Sequence, residues 1–271
     1  MTIRALDTER LAHEFRTAKP FPHCAIDGFL EPELADELAR AYPSFETAES
    51  LGYTFKAVNE YRKIQITDSA KFPAPVQRLN EALASESFMK DLSVITGIDS
   101  LVYDEKLSGG GMHMTGAHGH LDVHVDFNWN DRLELHRRLN LLVYLNPGWR
   151  PEYYGAIELW DEDVKRRWHA FAPIHNRAVM FATSERSFHG VEAVRCPEGV
   201  TRNSFAVYYY SAEPAEGYRG VNHTTIFKAR PDEHLKKYVL MPAERAKGAL
   251  REGRTLARNA KNKIKRLLDR D

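Results

Sequence analysis

The spacing of apolar positions changes character near residue 100. Before that point several segments carry helical intervals: Pro32 opens Glu-Leu-Ala-Asp-Glu-Leu-Ala-Arg-Ala-Tyr, and Pro43 stops it. Residues 73–84 and 87–96 repeat that spacing, the second closed by Gly97, while 21–30 is a short apolar run ending in Asp-Gly-Phe-Leu. Beyond residue 100 the apolar runs become short and β-rich, at 121–127, 139–145, 156–160, 178–183 and 204–210. Short strands separated by turns predict a sandwich or jelly roll rather than a parallel sheet. The expected architecture is mainly β, with a core over about 100–212 and helical support from 1–100.

Charge adds a boundary. Residues 242–271 hold ten Lys or Arg against four Asp or Glu, whereas the rest of the chain holds 28 against 34. Leu250, Gly253, Leu256, Ala257, Ala260, Ile264, Leu267 and Leu268 recur at three- and four-residue intervals, which predicts a basic amphipathic helix beyond a main domain of 1–241. Such a helix either packs near the main domain or meets a membrane surface or partner. The net charge of zero gives no global reason to expect nucleic acid. Two cysteines, Cys24 and Cys196, are too few for a secreted disulfide framework, and the charged N-terminal segment lacks a signal-peptide pattern. A soluble, cytoplasmic protein is the expectation.

The chemistry concentrates in His118-Gly-His120-Leu-Asp122-Val-His124-Val-Asp126-Phe-Asn128. On a regular strand the odd positions from Leu121 to Phe127 form an apolar face, and the even positions form a row of potential metal ligands. Two His-x-Asp pairs overlap here, His120/Asp122 and His124/Asp126. A catalytic site of two imidazoles and one carboxylate needs a third ligand and leaves positions open. His189, in Ser187-Phe-His-Gly-Val-Glu just after an apolar run, supplies it best. Downstream, Arg202 and Ser204 share a strand face and offer a guanidinium fork and a hydroxyl to a carboxylate.

The order of these motifs resembles the 2-oxoglutarate/Fe(II) dioxygenases, and among them the prolyl 4-hydroxylase-like group. The likeness runs over about 20–230 through Gly109-Gly-Gly-Met-His-Met, His124-Val-Asp-Phe-Asn, Arg138-Leu-Asn-Leu-Leu-Val-Tyr-Leu-Asn-Pro-Gly-Trp149, Gly155-Ala-Ile-Glu-Leu-Trp-Asp161, Pro173-Ile-His-Asn-Arg-Ala-Val-Met-Phe181, Ser187-Phe-His-Gly190 and Arg202-Asn-Ser204. It implies a double-stranded β-helix (jelly roll) with helices outside. It also implies Fe(II) on His124, Asp126 and His189, with 2-oxoglutarate anchored by Arg202 and Ser204. His120 and Asp122 become neighbours of the metal pair. Members of the group commonly use a tyrosine on the preceding strand; here that strand reads Met112-His113-Met114-Thr115, so His113 is the candidate replacement. Asn140 and Tyr144 are further candidates for the co-substrate pocket.

The implied reaction is oxidative decarboxylation of 2-oxoglutarate to succinate and carbon dioxide, coupled through O2 to hydroxylation of a C–H bond. Ascorbate is a candidate reductant. Asp126 favours hydroxylation over halogenation, because related halogenases lack the carboxylate. A cupin-like metal- or sugar-binding module would keep the histidines without needing Arg202 and Ser204, and a zinc hydrolase would want a His-Glu-x-x-His helix that the sequence lacks. Trp129, Asn130, Arg132, Tyr153, Tyr154 and Trp160 are the sequence candidates for contacts to a peptide, amino-acid or sugar-type substrate.

Overall fold

Local chemistry starts and stops the helices. In the computed structural model, which describes residues 2–243, the elements in chain order are α1 (Thr8–Thr17), β1 (His23–Asp27), α2 (Pro32–Ala41), α3 (Phe45–Leu51), β2 (Tyr53–Lys56), β3 (Glu60–Ile66), α4 (Ala74–Ala84), α5 (Glu86–Thr96), β4 (Val102–Tyr103), β5 (Gly111–Val125), β6 (Trp129–Asn130), β7 (Leu135–Tyr144), β8 (Ile157–Trp160), β9 (Arg167–Phe171), β10 (Arg177–Ala182), β11 (His189–Val191), β12 (Arg202–Ser211) and β13 (Ile226–Phe227). Pro32 sits in the first turn of α2, and the Ser85 hydroxyl accepts the Phe88 amide at the start of α5. Gly97 ends α5 in the left-handed region at φ +73°. The three expected helices are therefore present, and α1 and α3 are additional.

Strands β1, β10, β7 and β12 lie side by side and antiparallel, and the first half of β5 continues the layer towards β3 and β2. The second half of β5 pairs instead with β11, which leads to β8 and β9. This is the expected double-stranded β-helix, a nearly closed barrel in which β5 belongs to both layers. In the larger layer, alternation separates two faces. Leu139, Leu141 and Val143, with Phe205, Val207 and Tyr209, Met112 and Met114, and Ile64 and Ile66, point outward. There they meet Leu11, Phe15, Leu38, Leu79 and Leu92 of the helices. Burying each of these side chains contributes about 1.5–3 kcal/mol, so the helical half anchors one face of the layer. The opposite face lines a cavity.

Changing layers requires a bend in β5. Pairing with β12 ends at Thr115 and pairing with β11 begins at Leu121. Between them, exposed His118 takes φ +62°, and a Cβ at Gly119 would lie 2.5 Å from the Thr115 methyl and 2.9 Å from the Gly116 carbonyl oxygen. Downstream, His189 faces His124 and Val191 faces Leu121, so two steps along β11 match three along β5. That bulge reverses the side-chain parity. Leu121 and His124 both line the cavity, while Val123 and Val125 pack on Trp160, Val164 and Phe188. The unbroken alternation expected over 118–128 is thus corrected: Asp122 is fully buried, but it does not line the cavity.

Gly111 has φ +92°, and a Cβ there would sit 2.2 Å from the Ile66 carbonyl oxygen across the β3–β5 ladder. Backbone cannot yield without breaking pairing. Gly111→Ala is expected to lose about 2 kcal/mol of stability or more, read by denaturant unfolding, and an unchanged midpoint would contradict this reading of the contact.

Residues up to Lys228 form one unit and those from Ala229 a second, whose described part carries a π-helical turn at Lys236–Leu240. From residue 244 onward the predicted basic helix lies outside the described residues. Among the described residues no helix is long and apolar enough to cross a membrane.

Candidate metal and anion site

Pairing of β11 with β5 places His189 directly opposite His124, with their rings 4.3 Å apart. Asp126 follows β5 by one residue and turns its carboxylate between them: Oδ1 lies 3.4 Å from His124 Nε2, and Oδ2 lies 3.5 Å from His189 Nε2. One donor atom from each of the three residues falls within 4.8 Å of the others. His120 and Asp122 are not in this cluster; His120 Nε2 lies 3.1 Å from the Val58 carbonyl oxygen and 3.9 Å from Asp122.

The imidazoles are oriented from behind. Nδ1 of His124 is 2.8 Å from the Asp122 carbonyl oxygen, and Nδ1 of His189 is 2.9 Å from that of Ser187. A carbonyl only accepts, so Nδ1 carries the proton and Nε2 presents its lone pair to the centre. Burial, together with neighbouring His124, pushes His189 down to about 3, so it is neutral at physiological pH. Burial alone would raise the Asp126 carboxyl, but the Arg137 guanidinium beside it holds it well below the usual carboxylate range. Two imidazoles that turn Nε2 to the centre and an ionised carboxylate on one side of an open cavity fit a facial-triad Fe(II) site.

The cavity, about 280 Å³, extends from this cluster to Arg202 and Ser204 on β12. In register, Ser204 faces His113 on β5 and Tyr144 on β7. Arg202 is 3% exposed; its Nε donates to the Gly155 carbonyl at 2.6 Å and its Nη2 to the Tyr144 hydroxyl at 3.3 Å. No carboxylate pairs with it among the described residues. The Ser204 hydroxyl is fully buried and has no hydrogen-bond partner among them. A buried cation without a counter-charge beside an orphaned hydroxyl is a fit for one end of a dicarboxylate.

Other predicted residues divide. His113 lines the cavity, its charged form disfavoured by burial and then by Lys63, and its Nε2 lies 3.1 Å from the Gly109 carbonyl oxygen. Tyr144 meets the anion end through Arg202, whereas Asn140 lines the cavity and bonds to Asp126. The aromatic and polar substrate candidates do not line it. Trp160 is core, Tyr153 meets Trp149 edge to face, Trp129 meets His136 edge to face, and Asn130 and Arg132 bond to Asp104. The walls instead include Phe55, Lys63 and Gln65 from β2 and β3, Tyr208 from β12, and Thr225 and Phe227 near β13. Sequence reasoning missed these, along with Arg137.

Residues 110–210 match the family model of the 2OG-Fe(II) oxygenase superfamily. The match spans β5 to β12 and contains the whole constellation, so over this stretch the chain is similar to the 2OG-Fe(II) oxygenases. Its fold is similar to those of solved prolyl hydroxylases. A Trichoplax adhaerens prolyl hydroxylase, solved with a hypoxia-inducible-factor peptide, superposes at a TM-score of 0.53 with 17% identity, covering 75% of this chain and 90% of that one. A Pseudomonas putida prolyl-4-hydroxylase gives 0.50 with 19% identity over 74% and 98% of the two chains. In sequence, the chain is 29% identical to mouse prolyl 3-hydroxylase OGFOD1 over 197 residues, 70% of this chain and 33% of that relative. The chain therefore spans about a third of that relative's length.

Proposed function

We propose that the protein is an Fe(II)- and 2-oxoglutarate-dependent dioxygenase that hydroxylates a C–H bond, and that its substrate is a prolyl residue in a peptide. One observation carries the reading: the three-ligand cluster and the uncompensated Arg202 with its orphaned Ser204 hydroxyl lie in one cavity. A cupin-like binding module has no use for the second feature. Likeness to prolyl hydroxylases by sequence and by fold supports the substrate class.

When bound, iron with 2-oxoglutarate and O2 supplies the oxidant, releasing succinate and carbon dioxide. His124, Asp126 and His189 would hold the metal on one side, leaving its cavity side open. Arg202 and Ser204 would take the distal carboxylate and so fix where the keto-acid end lies. Apolar Leu142, Ile157, Phe181 and Val191 line the same cavity and would restrict water there.

Succinate release is the direct test, measured with proline-containing peptides, free amino acids and sugar-type compounds, with and without ascorbate. Peptide- and iron-dependent succinate is expected, with a hydroxyl added to proline by mass spectrometry. Iron-dependent turnover stimulated only by a non-peptide compound would overturn the substrate class, and no succinate under any condition would overturn the reaction.

A further inference from the structure

Arg137 is buried at 3% exposure and belongs to neither the metal cluster nor the anion end. Its Nη2 is 3.0 Å from Asp126 Oδ2, and Asn140 Nδ2 donates to that same oxygen at 2.8 Å. The triangle closes through Arg137 Nε, which donates to Asn140 Oδ1 at 2.9 Å. Aromatic faces hold the guanidinium in plane: it lies 3.5 Å from the Tyr208 ring centre and 4.6 Å from that of Phe127. Arg137 and Asn140 are an odd number of residues apart and would face opposite ways on a regular strand. Tyr210 pairs with Arg137 but Tyr209 pairs with Leu139, so a bulge at Arg138 brings both to the cavity face.

The consequence for Asp126 is asymmetric. Each oxygen lies near one imidazole, Oδ1 3.4 Å from His124 Nε2 and Oδ2 3.5 Å from His189 Nε2, but Oδ2 alone receives the Arg137 and Asn140 donors. We propose that Arg137 is a positioning residue that, with Asn140, reserves Oδ2 for the protein, so that Asp126 meets the metal through Oδ1 alone. A carboxylate binding through both oxygens would take up a coordination position that 2-oxoglutarate or O2 requires. The bulge, the stacking and the shared oxygen together serve that single-oxygen geometry. This inference rests on the proposed metal site.

Calorimetric titration of Co(II) into the metal-free full chain tests it in wild type, Arg137→Gln, Arg137→Lys and Asn140→Ala. Loss of a partner that orients a ligand typically weakens metal binding by about 10–100-fold. That weakening is expected in Arg137→Gln and in Asn140→Ala, with Arg137→Lys, which keeps the charge but not the fork, falling between Gln and wild type. Thermal unfolding of each variant controls for folding, and if Arg137→Gln fails to fold, Asn140→Ala decides, because it removes a donor to the same oxygen. Co(II) affinity within twofold of wild type in both would overturn the inference and leave Arg137 to the occupant of the cavity. A wild type that binds no Co(II) would instead overturn the proposed metal site.

Discussion

Replacing His189 with alanine is expected to weaken divalent-metal binding by more than about 100-fold and to abolish 2-oxoglutarate turnover, and the same holds for His124→Ala and Asp126→Ala. The bound is conservative, since removing a ligand exceeds the 10–100-fold effect of removing a group that orients one. The fold is expected to persist. Each side chain faces the cavity rather than the helix-packed side, and the register of β5 with β11 is set by backbone bonds and by Val123 and Val125 beneath. Calorimetry with Co(II) measures the loss, and far-ultraviolet circular dichroism checks the fold. Unchanged affinity in His124→Ala with loss in His120→Ala would move the metal pair upstream, against the geometry.

Arg202→Ala is expected to raise the dissociation constant for 2-oxoglutarate by well over tenfold while leaving metal affinity unchanged. Truncating one partner of a buried, hydrogen-bonded charge pair typically costs about 2–5 kcal/mol, and 1.4 kcal/mol already corresponds to tenfold. Lysine does not substitute for the arginine, because its point charge cannot reproduce the fork that reaches a carboxylate while also donating to Gly155 and Tyr144. Titrating 2-oxoglutarate into the metal-loaded variant gives the answer. Wild-type affinity would remove the reason for naming this co-substrate.

Much of this was legible in the sequence because it follows from period. The β core, the three proline- or serine-started helices and the β12 face bearing Arg202 and Ser204 are all readable from alternation and punctuation. What was not legible comes from places where alternation fails. The bulge between His124 and Leu121 sends Leu121 into the cavity and leaves Asp122 out of it, and no residue type announces that. A second bulge at Arg138 hides Arg137 on what a regular strand would make the outer face. Strands β2, β3 and β13 are short or strongly polar, so Phe55, Lys63, Gln65, Thr225 and Phe227 carry no local sign of facing the cavity. Asn140 lines the cavity, and its hydrogen bond to Asp126, fourteen residues away, is a contact that strand period does not reveal.

The layer-switching strand has a consequence for how such a protein can change over time. His113 and Thr115 at the anion end and His124 at the metal end lie on the single strand β5, so the separation of the two ends is held by covalent backbone and by pairing with β12 and β11. Part of the remaining wall comes from outside the family-matched stretch 110–210: Phe55, Lys63 and Gln65 precede it and Thr225 and Phe227 follow it, while Leu142, Ile157, Phe181, Val191 and Tyr208 lie within it. The metal and anion ends and this part of the cavity wall are thus encoded in separable blocks. Drift or recombination in the flanking blocks can reshape that part of the cavity without changing the spacing between its metal and anion ends.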